Sequence, residues 1–198
     1  GERFLDSGYS RPLIPWFIRK HGIAMYQYEQ KKYESFNAFF KRKALPGARK
    51  VVRDPARLIS PCDGRLSVYK IEDHSRFQIK HTSYSVESLV KNPALAKRYE
   101  GGYKENAREF SLLCSDHFGT ILMMEVGAML VGKIENRHQA ARVRRGQEKG
   151  NFAFGGSTIV LLTQKGKAMP DPDIWENSGQ GIETKVKLGE SIGKGMTQ

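Results

Sequence analysis

A chain of 198 residues fits one domain, with at most an appendage, and is long enough to bury a real core. Its 39% hydrophobic and 27% charged residues are ordinary for a globular chain, and no apolar run approaches the roughly 20 residues that a membrane-spanning helix needs. The net charge of +12 is not ordinary: residues 1–50 hold eleven Lys or Arg against four Asp or Glu, so a quarter of the chain carries more than half of the excess. Such a patch favours anionic partners, either phospholipid head groups or nucleic acid. The basic residues form no recognisable nucleic-acid motif, so no nucleic-acid partner is expected. Cys62 and Cys114 have neither metal-ligand spacing nor the makings of a disulfide framework, and no metal is expected. The chain opens on Gly1 rather than Met, which leaves room for a leader or anchor upstream.

In chain order, Ser10-Arg11-Pro12 predicts the cap of a short helix through Ile14, Phe17 and Ile18, closed by Gly22. A second helix is predicted from Ser35, with Phe36, Phe39 and Phe40 on one side, Lys41, Arg42 and Lys43 following, and Pro46-Gly47 as its end. Aromatic rings beside a basic cluster suit a membrane surface, although a stripe at helical spacing normally faces a core. From Leu58 onward short strands alternate with turn signals. Strands are predicted at 66–71, 77–80, 110–114, 120–126, 128–134, 141–144, 158–162 and 182–188, and helix from Ser85 to Leu89 and from Pro93 to Tyr99. Residues 165–181 read as a surface loop. The expectation is an α+β fold: a β-rich single domain of short antiparallel strands, over residues 57–198, behind a helical, basic N-terminal segment over residues 1–56.

The most informative stretch is Phe152-Ala153-Phe154-Gly155-Gly156-Ser157-Thr158-Ile159-Val160. Gly-Gly makes a sharp turn cheap, and the β-branched run after Ser157 reads as a buried strand. A serine at the mouth of a strand can turn its hydroxyl onto the carbonyl before it, yet Gly-Gly-Ser alone is usually a plain turn. Three further stretches give it context: Ile59-Ser60-Pro61-Cys62-Asp63-Gly64, then Glu125-Val126-Gly127-Ala128-Met129-Leu130-Val131-Gly132-Lys133-Ile134, then Lys149-Gly150-Asn151-Phe152. With Phe36-Asn37-Ala38-Phe39-Phe40-Lys41-Arg42 and Gly189-Glu190-Ser191-Ile192-Gly193, this ordered set resembles the phosphatidylserine decarboxylases, pyruvoyl-dependent enzymes made as proenzymes. No single motif is specific; their order is.

The resemblance implies the chemistry. Decarboxylating an amino acid leaves a carbanion, which needs an electron sink that no ordinary side chain supplies and a pyruvoyl carbonyl does. By motif, Ser157 attacks the carbonyl of Gly156, the chain is cut between 156 and 157, and Ser157 becomes the covalent pyruvoyl cofactor. Asp63 matches the family aspartate that works with a histidine to activate the serine. Phosphatidylserine is then the substrate and phosphatidylethanolamine the product. The expected setting is an anionic membrane surface on the cytoplasmic face, with peripheral attachment, and the resemblance admits a homodimer.

One departure stands out. The family carries histidines in an Asp-Tyr-His-Arg-x-His type motif between the regions matching Glu100-Gly101-Gly102 and Tyr103–Leu113. That motif is absent, and His21, His74, His81, His117 and His138 match no part of it. The Gly102–Tyr103 junction is where a few tens of residues are missing. The reading adopted is the enzyme; the alternative is a non-catalytic, basic lipid-binding homologue lacking the histidine segment.

Overall fold

The computed structural model describes residues 2–79, 82–86, 108–127, 134–137, 142–154 and 157–196. The Gly102–Tyr103 junction, the predicted helices beyond residue 86, most of the predicted strand at 128–134, and Gly155 and Gly156 lie outside the described residues.

The N-terminal part is helical, as its sequence predicts. Helices α1 (Glu2–Leu5), α2 (Leu13–His21) and α3 (Phe36–Phe40) come first. Helix α2 ends at Gly22, whose φ of 58° lies in the left-handed region. The Gly22 amide donates to the Arg19 carbonyl and the Ile23 amide to the Ile18 carbonyl, so two otherwise unpaired acceptors are satisfied. Its start differs from expectation. Pro12 occupies the cap without a side-chain hydrogen bond, while the fully buried Ser10 Oγ bonds the Leu5 and Ser7 carbonyls and accepts the Phe36 amide at 2.8 Å. Its hydroxyl joins α1 to α3 and is not available to α2.

Ser35 caps α3, its Oγ accepting the Ala38 amide at 3.1 Å. The helix stops at Phe40, well short of Pro46-Gly47. Beyond it the backbone pairs with an earlier segment: the Glu29 amide donates to the Lys43 carbonyl and the Leu45 amide to the Gln27 carbonyl. Those groups are therefore lost to helix. Phe36 and Phe39 are 2% and 0% exposed and pack with Tyr33, Phe17, Phe40 and Phe154. The aromatic stripe is core, and it does not face outward to a membrane.

Among the described residues twelve strands follow, every pair antiparallel. The main sheet has the order β5 (Arg108–Ser115), β6 (Gly119–Val126), β9 (Thr158–Thr163). A second sheet orders β1 (Arg57–Ile59), β12 (Ser191–Gly195), β10 (Ala168–Pro170). Three two-stranded pairs complete the set: β2 (Gly64–Leu66) with β11 (Thr184–Val186), β3 (Arg76–Ile79) with β4 (Thr82–Ser85), and β7 (Ile134–Asn136) with β8 (Gly150–Phe152). The fold is thus α+β and β-rich.

Several predicted boundaries move. The strand expected over 66–71 ends at Leu66, because the Val68 amide donates instead to Ser178 Oγ at 3.0 Å. Ser85 closes β4, where a helix was expected to open. No strand forms over 142–144, and the one expected over 182–188 shrinks to β11. The predicted loop at 165–181 contains β10 and helix α4 (Pro172–Gly179). Pro172 opens that helix, where a missing amide hydrogen is harmless, and Ile174 is 2% exposed in the core. At Gly193 a Cβ would lie 2.6 Å from the Met169 carbonyl oxygen, so β12 can sit between β1 and β10 only with glycine there.

Three apolar clusters hold these elements. The first joins Tyr84, Met124 and Val126 with Phe77, Phe110 and Val160; the second is the N-terminal aromatic group; the third joins Ile174, Val186 and Ile192 with Leu58, Leu66, Val68 and Leu161. Phe39 sits in the second with no exposed surface. Phe39→Ala is expected to lower the unfolding free energy by about 3–5 kcal/mol, read from urea titration.

Candidate active site

The segment around Ser157 is held on both sides. Upstream, Ala153 is buried and the Phe154 amide donates to Asn37 Oδ1 at 3.2 Å. The Phe154 ring meets Phe36, Phe40 and Phe17 edge-on, at centroid distances of 4.9, 5.2 and 6.1 Å. Downstream, Ser157 leads directly into β9, where Thr158 pairs with Val126 and Ile159 with Glu125. Side chains alternate along a strand, so β9 serves two cores: Val160 enters the first cluster and Leu161 the third. Ser157 itself is exposed. The serine is reachable, with Phe154 held upstream of it and β9 downstream.

Asp63 lies in the bend between β1 and β2, where two distant motifs meet. The Gly189 amide donates to the Ser60 carbonyl and the Ser60 amide to the Glu190 carbonyl, each at 2.9 Å. The same junction aims the Leu188 amide at Asp63 Oδ1, 2.9 Å away. Arg49 supplies the countercharge, with Nε 2.8 Å from Oδ1 and Nη2 hydrogen-bonded to Oδ2. The guanidinium is itself oriented by Gln27 Oε1 at 2.7 Å and the Tyr28 hydroxyl at 3.3 Å. Burial pushes the Asp63 carboxyl up, but the Arg49 bonds and the Leu188 amide outweigh it and hold the group below the usual carboxylate range. Burial, and then the neighbouring Asp63 charge, push the Cys62 thiol up.

The partner expected of Asp63 was a histidine; the partner found is Arg49. Among the described residues no hydrogen bond joins Asp63 to Ser157 or to an imidazole. His21 stacks on Phe17 at 4.2 Å, His117 lies beside Phe118, and His74 occupies a turn with φ of 69°. His81 and His138 lie outside the described residues. Among the described residues no group of three His, Cys, Asp or Glu side chains could hold a metal ion.

A polar network that sequence reasoning missed flanks the serine strand. Glu125, 3% exposed in the central strand β6, is paired with Lys149 Nζ, which also donates to Asn136 Oδ1 at 2.9 Å. Glu135 accepts from Lys41 at 2.7 Å and from Asn151 at 3.0 Å, which ties the end of α3 to the β7–β8 hairpin. Lys149 and Lys41 both stand inside motifs noted above, but nothing local in the sequence names their partners.

An exposed serine thus stands at the head of a half-buried strand of a β-rich α+β protein. The profile of the family described as phosphatidylserine decarboxylase matches residues 36–109 and 103–194. Phosphatidylserine decarboxylase proenzyme 2 of Clostridium acetobutylicum is 38% identical over 224 residues, covering 90% of this chain and 77% of the relative. The proenzyme of Clostridium novyi is 35% identical, covering 96% and 82%, and that of Fusobacterium nucleatum 30% identical, covering 96% and 83%. No solved structure matches at a comparable level of significance. The chain belongs to the phosphatidylserine decarboxylase family. The two profile matches overlap over residues 103–109, directly after the Gly102–Tyr103 junction. Alignments of 224 to 250 residues exceed the whole 198-residue chain, so the relatives carry positions for which this chain has no residue.

Because its folded pKa lies below the unfolded value of about 3.9, ionised Asp63 contributes stability that is complete above about pH 5 and is lost as pH falls through the folded value. The stability gap between wild type and Asp63→Asn, from urea titrations across a pH series, is expected to be flat above about pH 5 and to narrow on acidification below about pH 4.

Proposed function

We propose that this chain decarboxylates phosphatidylserine to phosphatidylethanolamine, and that Ser157 is the precursor of its pyruvoyl group. The observation that carries this is the exposed Ser157 held between the Phe154 anchor and β9. In the formation step Ser157 Oγ adds to the Gly156 carbonyl as the hydroxyl proton leaves, and the Gly156–Ser157 amide becomes an ester with a free amine at residue 157. Elimination across Cα–Cβ of residue 157 releases Gly156 as a carboxylate, and water then displaces ammonia from the new N-terminus. When present, the pyruvoyl carbonyl supplies the electron sink that loss of carbon dioxide requires. The position fits that group: residue 157 is at the surface, and the strand behind it is fixed by two cores. In this reading Asp63, hydrogen-bonded to Arg49, is the carboxylate of the activating machinery, by its match to the family aspartate.

Wild-type protein is expected to run as two fragments, residues 1–156 and 157–198, and Ser157→Ala as one intact chain, both read by intact mass. Asp63→Asn is expected to slow the conversion by on the order of 100-fold. An uncut wild type that releases carbon dioxide from phosphatidylserine vesicles would overturn the pyruvoyl mechanism. An uncut wild type that releases none would overturn the enzyme reading.

The membrane contact in this reading lies upstream of the phenylalanine stripe. Phe4, Tyr9, Leu13 and Trp16 are exposed, with Arg3, Arg11, Arg19 and Lys20 among them, and Lys20 Nζ sits 4.6 Å from the Trp16 ring centre. Rings at the interface and cations at the phosphates suit peripheral attachment to an anionic leaflet, placed here on the cytoplasmic face. Lys41 and Arg42 serve the interior instead, through Glu135 and through the Tyr28 and Phe39 rings. Trp16→Ser with Leu13→Ser is expected to weaken sedimentation with phosphatidylserine vesicles. Binding by wild type is expected to fall with salt, at about 1 kcal/mol for each contacting Lys or Arg.

A further inference from the structure

We propose that Asn37, together with the aromatic box of Phe17, Phe36 and Phe40, forms a clamp on Phe154 on which cleavage at Ser157 depends. The proposal deepens the reading of Ser157 given above and rests on it.

Two residues of chain separate Phe154 from Ser157. A glycine pair has more backbone freedom to lose than any other, so its ends must be fixed if one carbonyl is to be presented to one hydroxyl. The downstream end is fixed by the β6–β9 ladder. The upstream end is fixed by Asn37. Its Oδ1 accepts the Phe154 amide, and its Nδ2 donates to Asp6 Oδ1 at 2.7 Å, so the side-chain amide has one orientation with its oxygen toward Phe154. Asn37 lies in α3, which is placed by the Ser35 cap and by the buried Ser10 hydroxyl on the Phe36 amide. The Phe154 ring, edge-on to three phenylalanines, blocks rotation about the anchored residue. The partners are 117 residues apart in sequence, so this bond forms only after the helical segment has docked on the β-rich part. Self-cleavage therefore waits for the complete fold.

The test follows the conversion of full-length chain to fragments by intact mass after cell-free synthesis. Thermal midpoints are measured in parallel in the Ser157→Ala background, where the chain stays whole. Asn37→Leu removes the acceptor at similar size and is expected to slow cleavage at least about tenfold with only a small fall in midpoint. The exchange Asn37→Asp with Asp6→Asn restores an acceptor oxygen facing Phe154 and a donor on residue 6. It is expected to return the rate to within about threefold of wild type. If Asn37→Leu does not fold, Phe154→Leu keeps the amide and an apolar side chain but loses the ring contacts, and slowed cleavage in it is the expected result. Wild-type rates in Asn37→Leu or, where that fails to fold, in Phe154→Leu would overturn the clamp alone, as would failure of the exchange to restore cleavage. A wild type that stays whole would overturn the clamp and the reading of Ser157 together.

Discussion

The structure depends on how the chain is gripped from Phe154 to Leu161. Phe154 belongs to the N-terminal aromatic cluster, Val160 to the cluster under the main sheet, and Leu161 to the cluster around α4. Fully burying a side chain of this size stabilises by roughly 1.5–3 kcal/mol, and these half-buried ones supply a part of that. Phe154, Val160 and Leu161 therefore draw on all three cores, and the exposed Ser157 stands between the first of them and the other two.

The second constraint is electrostatic. Asp63 sits where the Ser60–Gly64 and Gly189–Gly193 motifs cross, and its charge is matched by a guanidinium that Gln27 and Tyr28 hold in place. Arg49 and its supports come from the N-terminal segment, as do Asn37 and the aromatic box. The helical segment thus reaches both candidate site residues by different means, a countercharge at Asp63 and a tether beside Ser157. Its basic charge is only part of its contribution.

Much of this was legible in the sequence where the signal is local. Ser35 announced a cap and Gly22 a helix end, and the β-branched run after Ser157 announced a strand. The strands expected at 110–114 and 120–126 lie within β5 and β6. Contacts distant in sequence left no such mark. Arg49 is an ordinary basic residue until Asp63 lies beside it, and Asn37 an ordinary helix residue until Phe154 does. The aromatic stripe at 36–40 could face a core or a lipid surface on periodicity alone, and only packing against Phe17 and Phe154 decides for the core. The stretch at 165–181 misled because its prolines read as breaks, whereas Pro172 starts a helix. Ser10 misled similarly, since a hydroxyl before a helix is a cap only if nothing else claims it.

The pairing of strands has a consequence for the proposed cut between residues 156 and 157, were it made. The piece beginning at residue 157 contributes β9, β11 and β12, and these pair respectively with β6, β2 and β1 of the other piece. The two polypeptides are interleaved, each filling gaps in sheets begun by the other. Their separation is then the same event as their unfolding. Melting of the nicked protein becomes a dissociation whose midpoint rises with concentration, while that of the uncut chain does not. Reassembly from denaturant would need two chains to find each other, without the high local concentration that the peptide bond once provided. Maturation along this route trades a chain that can refold alone for a heterodimer whose persistence is kinetic.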